Sequence, residues 1–235
     1  MTVAGLPCAW WLVPEAGRHE RLSRWIGALA ALHGGPVFEP HLTLALSTLP
    51  EGADVPAVRA RLAAAVAVPG QEGAADEGLQ PLTLNTVGLG HDPHFFRAFH
   101  LRMAPSQVER QTLAAQVRAL HGALGPAWDT RPPAFAPHVS LAYGEWTEER
   151  RRQQVRDTPI DPELARIRFD TLVGVWPRAG ARTLDRVADW EIFLRLPLSR
   201  VEQAGTGDLV TRVTDRVKAM EQRGYTFEAA DASFE

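Results

Sequence analysis

Apolar residues recur along this chain with two periods, and each period marks a kind of element. The segment AWWLVPE over residues 9–15, apolar as far as Pro14, predicts a short buried strand. Residues 18–33 place Leu22, Trp25, Ile26 and Leu29 at helical spacing, and Gly34, Gly35 and Pro36 stop that helix. In FEPHLTLAL (38–46), Leu42, Leu44 and Leu46 alternate with His41, Thr43 and Ala45, which is the period of a strand. An Ala-rich stretch over 54–68 reads as a short helix, and PGQEGAADEG (69–78) as a polar, Gly-rich loop. Strands follow at 79–89 and 95–103. Ser106 is placed to cap an amphipathic helix over 107–123, which Gly125 and Pro126 end. The prolines of WDTRPPAF (128–135) demand a loop, and APHVSLAYG (136–144) is strand-like again. Thr147 is placed to cap a charged helix over 148–157, and strands at 166–178 and 189–198 complete the pattern.

Strands and helices interleave without a long parallel βαβ run, so the fold class is α+β with antiparallel-rich sheets. The order strand, helix, Pro-His strand returns roughly 100 residues later, which predicts two similar lobes related by a pseudo-twofold. After Leu198 the character changes. SRVEQAGTGD is linker-like, and residues 208–223 have the pattern of a charged amphipathic helix. The expected organisation is a two-lobed domain over 1–198 with a linker and helical appendage over 199–235.

Composition narrows the function classes. With 235 residues and 45% hydrophobic content, the chain is long enough to bury a real core. No apolar run approaches the roughly 18–20 residues of a membrane helix, and no secretion-signal layout opens the chain, so a cytoplasmic, monomeric protein is expected. The one cysteine, Cys8, lies in the apolar run LPCAWWLV and reads as a buried small hydrophobe; a Cys-based metal cluster is excluded. The formal charge of −3 argues against a grip on a long nucleic-acid backbone and for a small anionic ligand held locally. Arginine supplies almost all the positive charge, Lys218 being the lone lysine.

The chemistry sits in a repeated phrase. Pro40-His41-Leu42-Thr43-Leu44-Ala45 returns as Pro137-His138-Val139-Ser140-Leu141-Ala142. Among 8 histidines, a bare His-x-Ser/Thr is expected by chance about once. A six-position repeat in strand context twice is far harder to reach by accident. Residues i and i+2 of a strand share a face, so His41 goes with Thr43 and His138 with Ser140, while Leu42, Leu44, Val139 and Leu141 turn to a core. Facing each other across a cleft, two such pairs suit phosphodiester hydrolysis. One imidazole takes a proton from water, the other gives one to the leaving alkoxide, and the hydroxyls donate to the non-bridging oxygens.

These motifs, HLTL (41–44) and HVSL (138–141), resemble the signature of the two-histidine (2H) phosphoesterases. Together with WWLVPE, FEPHLTL, FFRAFHLRM and PHVSLAYG, they are most similar to the cyclic phosphodiesterases of fungi and plants. The likeness spans about residues 8–198. It implies a bilobal, pseudo-symmetric LigT-like fold with antiparallel-rich sheets lining a central cleft and helices outside. It also implies cleavage of 2′,3′-cyclic nucleotides or ADP-ribose 1″,2″-cyclic phosphate, with no metal or other cofactor. Which histidine is acid and which is base stays open.

Around this core, Phe95, Phe96 and Tyr143 are candidates to stack on a base or ribose, with core packing as the plain alternative. His91 and His94 (HDPH) lack a clear third metal ligand and read as loop residues. Arg97, Arg102 and Arg131 are candidate phosphate contacts. Two alternatives remain: an enzyme of the same superfamily acting on RNA or tRNA ends, and a cyclic-nucleotide binding module without turnover. The last stretch, VKAMEQRGYTFEAADASFE (217–235), resembles a segment between the catalytic and regulatory domains of citramalate and isopropylmalate synthases and carries no catalytic group.

Overall fold

The computed structural model describes residues 5–50, 52–66, 78–134, 136–177 and 190–198. The appendage expected over 199–235, and all but the last residue of the loop expected over 69–78, lie outside the described residues. In chain order the elements are β1 (Gly5–Pro14), α1 (Ala16–His33), β2 (Leu42–Pro50), α2 (Val55–Ala64), β3 (Leu82–Gly90), β4 (Phe99–Met103), α3 (Gln107–Leu124), β5 (His138–Ala142), α4 (Glu148–Asp157), β6 (Arg166–Pro177) and β7 (Trp190–Pro197).

Local signals set most boundaries. Gly34 ends α1 in the left-handed conformation, and its N–H returns to the Ala30 carbonyl. Asp54 caps α2 through the Ala57 N–H. Ser106 and Glu109 form a full capping box on α3, and Thr147 accepts from the Arg150 N–H to start α4. Two strands depart from their patterns. The one expected over 38–46 runs instead over Leu42–Pro50. The one expected over 95–103 starts only at Phe99, because Phe95–Arg97 is a 3₁₀ turn. Its carbonyls face other partners: Phe95 O accepts from the Gly144 N–H and Phe96 O from the Ser140 hydroxyl.

All ladders between the named strands are antiparallel, and the sheet order is β2-β1-β6-β3-β4-β5, with β7 added on β6. The long strand β6 joins the halves: residues 166–169 pair with β3 and residues 171–177 with β7. The two ends of this order, β2 and β5, nevertheless touch, so the sheet curls until its outermost strands meet. Helix α1 packs on β5 and α3 on β2, so each strand–helix–strand half lays its helix against the other half's histidine strand. That exchange is the expected pseudo-twofold in physical form.

One apolar face closes the main core around Trp10, Leu12, Leu42, Leu84, Phe99, Leu101, Val139, Leu141 and Phe169. Cys8 is buried there and its thiol is pushed up by desolvation, so it stays protonated and inert. Trp10 is fully buried, lies edge-on to Phe193 at 5.5 Å, and donates its indole N–H to Ser47 Oγ at 3.0 Å. Trp10→Ala empties the largest core site and removes the bond that Ser47 Oγ accepts, while its own proton still goes to Thr130 Oγ1 at 3.0 Å. It should cost roughly 3–5 kcal/mol, seen in urea denaturation as a lower midpoint at unchanged slope; a shift under about 1 kcal/mol would show that the site collapses to fill itself.

Candidate active site

The opposite face of the curled sheet lines a cavity of about 320 Å³ where β2 and β5 approach. His41, one residue before β2, and His138, the first residue of β5, both reach it, as do Thr43 and Ser140. Both rings are held alike. His41 Nδ1 lies 2.6 Å from the Glu39 carbonyl and His138 Nδ1 lies 2.9 Å from the Ala136 carbonyl. A carbonyl oxygen only accepts, so each Nδ1 carries the proton. In each case the intervening residue is proline, Pro40 or Pro137, whose ring fixes φ and so limits how the carbonyl two residues back can turn. The Pro-His of the repeated phrase is thus an orienting device that commits Nδ1 of both rings to the backbone.

Burial shapes the acidity of the pair. His41 is 6% and His138 8% exposed. Desolvation lowers His41 to about 3 and His138 to about 4, against the opposing pull of the two carbonyl hydrogen bonds. Each also feels positive neighbours: His138 acts on His41, and His100 and Arg97 act on His138. Both imidazoles are therefore neutral in the empty site at neutral pH.

The surroundings of the two rings differ. On the His41 side, Trp11 stacks on the imidazole at 3.8 Å and 9°, and Trp190 lies parallel to Trp11 at 5.7 Å. Trp11 reaches the cavity because it sits opposite Thr43 in the β1–β2 register, just past a bulge at Trp10/Trp11. On the His138 side, His100 meets the imidazole at 5.1 Å, and Arg97 lines the wall while pairing with Asp92 at 3.1 Å. His100 lies opposite Ser140 in the β4–β5 register, and its own Nδ1 donates to the Arg97 carbonyl at 3.0 Å.

The softer candidates separate. Phe96 lines the cavity, whereas Phe95 stands against Phe96 and Tyr143 at 5.2 and 6.0 Å. Tyr143 is buried, and a face of its ring is covered by Phe38 at 3.8 Å and 11°, so the stacking role expected for it is occupied. What Tyr143 offers is its hydroxyl, kept protonated by burial, 3.5 Å from His41 Nε2 and within reach of Ser140. Ser140 donates to the Phe96 carbonyl at 2.7 Å, tying the 3₁₀ turn to β5. Arg131 holds β2 through its backbone, bonding Leu46 in both directions at 2.9 Å. Arg102 sits opposite His138 in the β4–β5 register. His91 and His94 turn to different carboxylates, Glu148 and Asp92, each at 3.7 Å, and His94 also lines the cavity mouth. Among the described residues no group of three or more His, Cys, Asp or Glu is arranged to hold a metal ion.

Sequence patterning missed Trp11, Trp190 and His100. Trp11 sits in an apolar run that is buried on both faces, so its neighbours give no sign that one face meets a cavity. His100 shared its stretch with Phe95 and Phe96, and only the register with β5 shows it beside His138.

Among the described residues no helix is long and apolar enough to cross a membrane. By sequence, no curated protein matches the chain. Among solved structures, Escherichia coli LigT in apo form is similar at 13% identity over 83% of this chain and 98% of that one, with a TM-score of 0.48. LigT complexed with 3′-AMP is similar at 16% identity over 83% and 99%, with a TM-score of 0.48. Kluyveromyces marxianus Usb1 is similar at 12% identity over 83% and 99%, with a TM-score of 0.40. The family profile described as the 2′-5′ RNA ligase superfamily matches residues 18–174. Spanning more than half of the chain and both Pro-His motifs, that match shows that the chain belongs to the 2′-5′ RNA ligase superfamily, the two-histidine phosphoesterases.

Proposed function

We propose that this chain hydrolyses a small cyclic phosphodiester, a 2′,3′-cyclic nucleotide or ADP-ribose 1″,2″-cyclic phosphate, to a phosphomonoester by metal-independent acid–base catalysis between His41 and His138. The observation that carries the reading is the matched tautomer of the two rings, with Nδ1–H tied back to a carbonyl in both and both imidazoles lining one cavity. A neutral ring held this way has an unprotonated Nε2, which accepts a proton from the attacking water. A protonated ring presents Nε2–H, which donates to the leaving alkoxide. The water oxygen bonds to phosphorus as the ring P–O bond breaks. One histidine gains the water proton while the other gives its own to the freed hydroxyl.

The rest of the wall suits that reaction. Thr43 and Tyr143 place hydroxyls beside the pair, where negative charge grows on the non-bridging oxygens, whereas the Ser140 proton is already given to the Phe96 carbonyl. Phe96, one of the residues expected in this role, and Trp190 give aromatic surface for a base or ribose. A cavity of about 320 Å³ is at the small end for ligand sites. That size and the net charge of −3 favour a mononucleotide over a long RNA. The superfamily match supports RNA termini as a second reading. A product assay decides between them: turnover of 2′,3′-cyclic mononucleotides or ADP-ribose cyclic phosphate supports the first, and turnover confined to oligonucleotide ends supports the second. Tight binding of a cyclic nucleotide with no product would make the chain a binding module.

The hydroxyls should not weigh equally. Thr43→Ala should lower kcat roughly 10–10³-fold, while Thr43→Ser should keep most of it, because only the hydroxyl is asked to act. Steady-state kinetics on the two variants checks this. If Thr43→Ser were as slow as Thr43→Ala, the methyl packing would be the better account.

A further inference from the structure

The carbonyl that fixes the His41 tautomer belongs to a residue whose own side chain is held. The Glu39 carboxylate receives the Arg195 guanidinium on both oxygens, at 2.6 and 2.7 Å, and His19 Nε2 lies 3.3 Å from Oε1. These partners come from three places in the fold: α1, the segment before β2, and β7. The Glu39 side chain is only 17% exposed. A backbone segment anchored through its side chain to β7, with His19 of α1 packed alongside, has little freedom to turn its carbonyl. The matching carbonyl beside His138 belongs to Ala136, whose methyl side chain allows no such anchor.

We propose that Glu39 and Arg195 are positioning residues for His41: their ion pair fixes the Glu39 carbonyl and thereby keeps the His41 proton on Nδ1 and its Nε2 toward the cavity. The acidity of His41 is set by burial, the Glu39 backbone bond and His138. The action is geometric, and it falls on one of two otherwise matched histidines. With Trp11 setting the plane of the ring and the carbonyl setting its rotation within that plane, the imidazole is fixed in both senses.

The kinetic part of this proposal rests on the acid–base reading of His41; the tautomer part does not. The test compares the full-length protein with Arg195→Met, which keeps the apolar stem, Arg195→Lys, which keeps a charged donor, and Glu39→Gln. Long-range ¹⁵N–¹H correlation of the imidazoles reads the tautomer of each histidine. In Arg195→Met and Glu39→Gln the His41 nitrogens should move toward a tautomer mixture while His138 stays with its proton on Nδ1. Arg195→Lys should restore much of the native signal. On a 2′,3′-cyclic nucleotide, kcat should fall roughly tenfold with KM within about twofold, the usual range for partners that orient a reacting group. An unchanged His41 spectrum in Arg195→Met and Glu39→Gln overturns the proposal, as does an equal shift at His41 and His138, which would mean general loosening. If His41 shifts alone while kcat holds, the positioning stands and the catalytic assignment of His41 falls. Should Arg195→Met not fold, Glu39→Gln carries the same measurement.

Discussion

Replacing either His41 or His138 with alanine lowers turnover of a 2′,3′-cyclic nucleotide by roughly 10²–10⁴, the usual worth of a positioned acid or base. Both rings are nearly fully buried, yet each borders the cavity, so truncation opens space toward the site and leaves the main core closed. Circular dichroism and the thermal midpoint should confirm a folded protein in each case. The two carbonyls freed by the substitutions, Glu39 O and Ala136 O, lie beside the cavity, where water entering the enlarged site can satisfy them. The double variant should lose far less than the product of the two single losses, because a proton relay fails once either end is gone. A folded His138→Ala protein with near-normal turnover would sink the assignment for both, since the two rings are held by the same device.

Much of this arrangement is legible in the residues. Alternation around His41 and His138 puts both Pro-His phrases in strand context and sends Leu42, Leu44, Val139 and Leu141 to the core; the structure keeps that facing and starts the strands at Leu42 and His138. Capping residues locate the starts of α3 and α4 to the residue, because Ser106 and Thr147 act within the first turn of helix. What patterning does not reach is set by contacts distant in sequence. The Phe95–Arg97 turn carries strand-forming residues, but its carbonyls are claimed by Gly144 and Ser140, far along the chain. The Phe38 cover over Tyr143 and the Trp11 stack on His41 arise only when α1 and β1 settle against the strands that carry the motifs. The repeat announces which residues face one another; the asymmetry between an aromatic wall beside His41 and a basic one beside His138 comes from their neighbours in space.

That asymmetry and the depth of burial set the last expectation, on pH and metal together. In the empty site His41 is held near about 3 and His138 near about 4, so at neutral pH the singly protonated pair needed to start the cycle is a minor species. From about pH 5 upward kcat/KM should fall about tenfold per pH unit, because it reports the free protein. Bound substrate brings a phosphodiester anion beside both rings, and an opposite charge at that distance raises such a group by roughly 1–3. The basic limb of kcat should therefore stand at higher pH than that of kcat/KM. Both limbs belong to the coupled pair and not to either residue alone. Stability runs with the opposite sign to kcat/KM. Each ring lies below its usual 6.5, so between about 4 and 6.5 the unfolded chain binds more protons than the folded one. Their contribution to stability is full above pH 6.5 and is lost as the pH falls through about 4 and then about 3. The thermal midpoint should drop over the same acid range in which kcat/KM climbs, and His41→Ala should blunt that drop. The measurement is a pair of pH–rate profiles on protein treated exhaustively with EDTA, with thermal melts at each pH. Coincident basic limbs for kcat and kcat/KM would mean that the bound phosphate does not face the two rings. Loss of activity on chelation, restored by a divalent cation, would overturn the two-histidine mechanism and turn attention to His91 and His94.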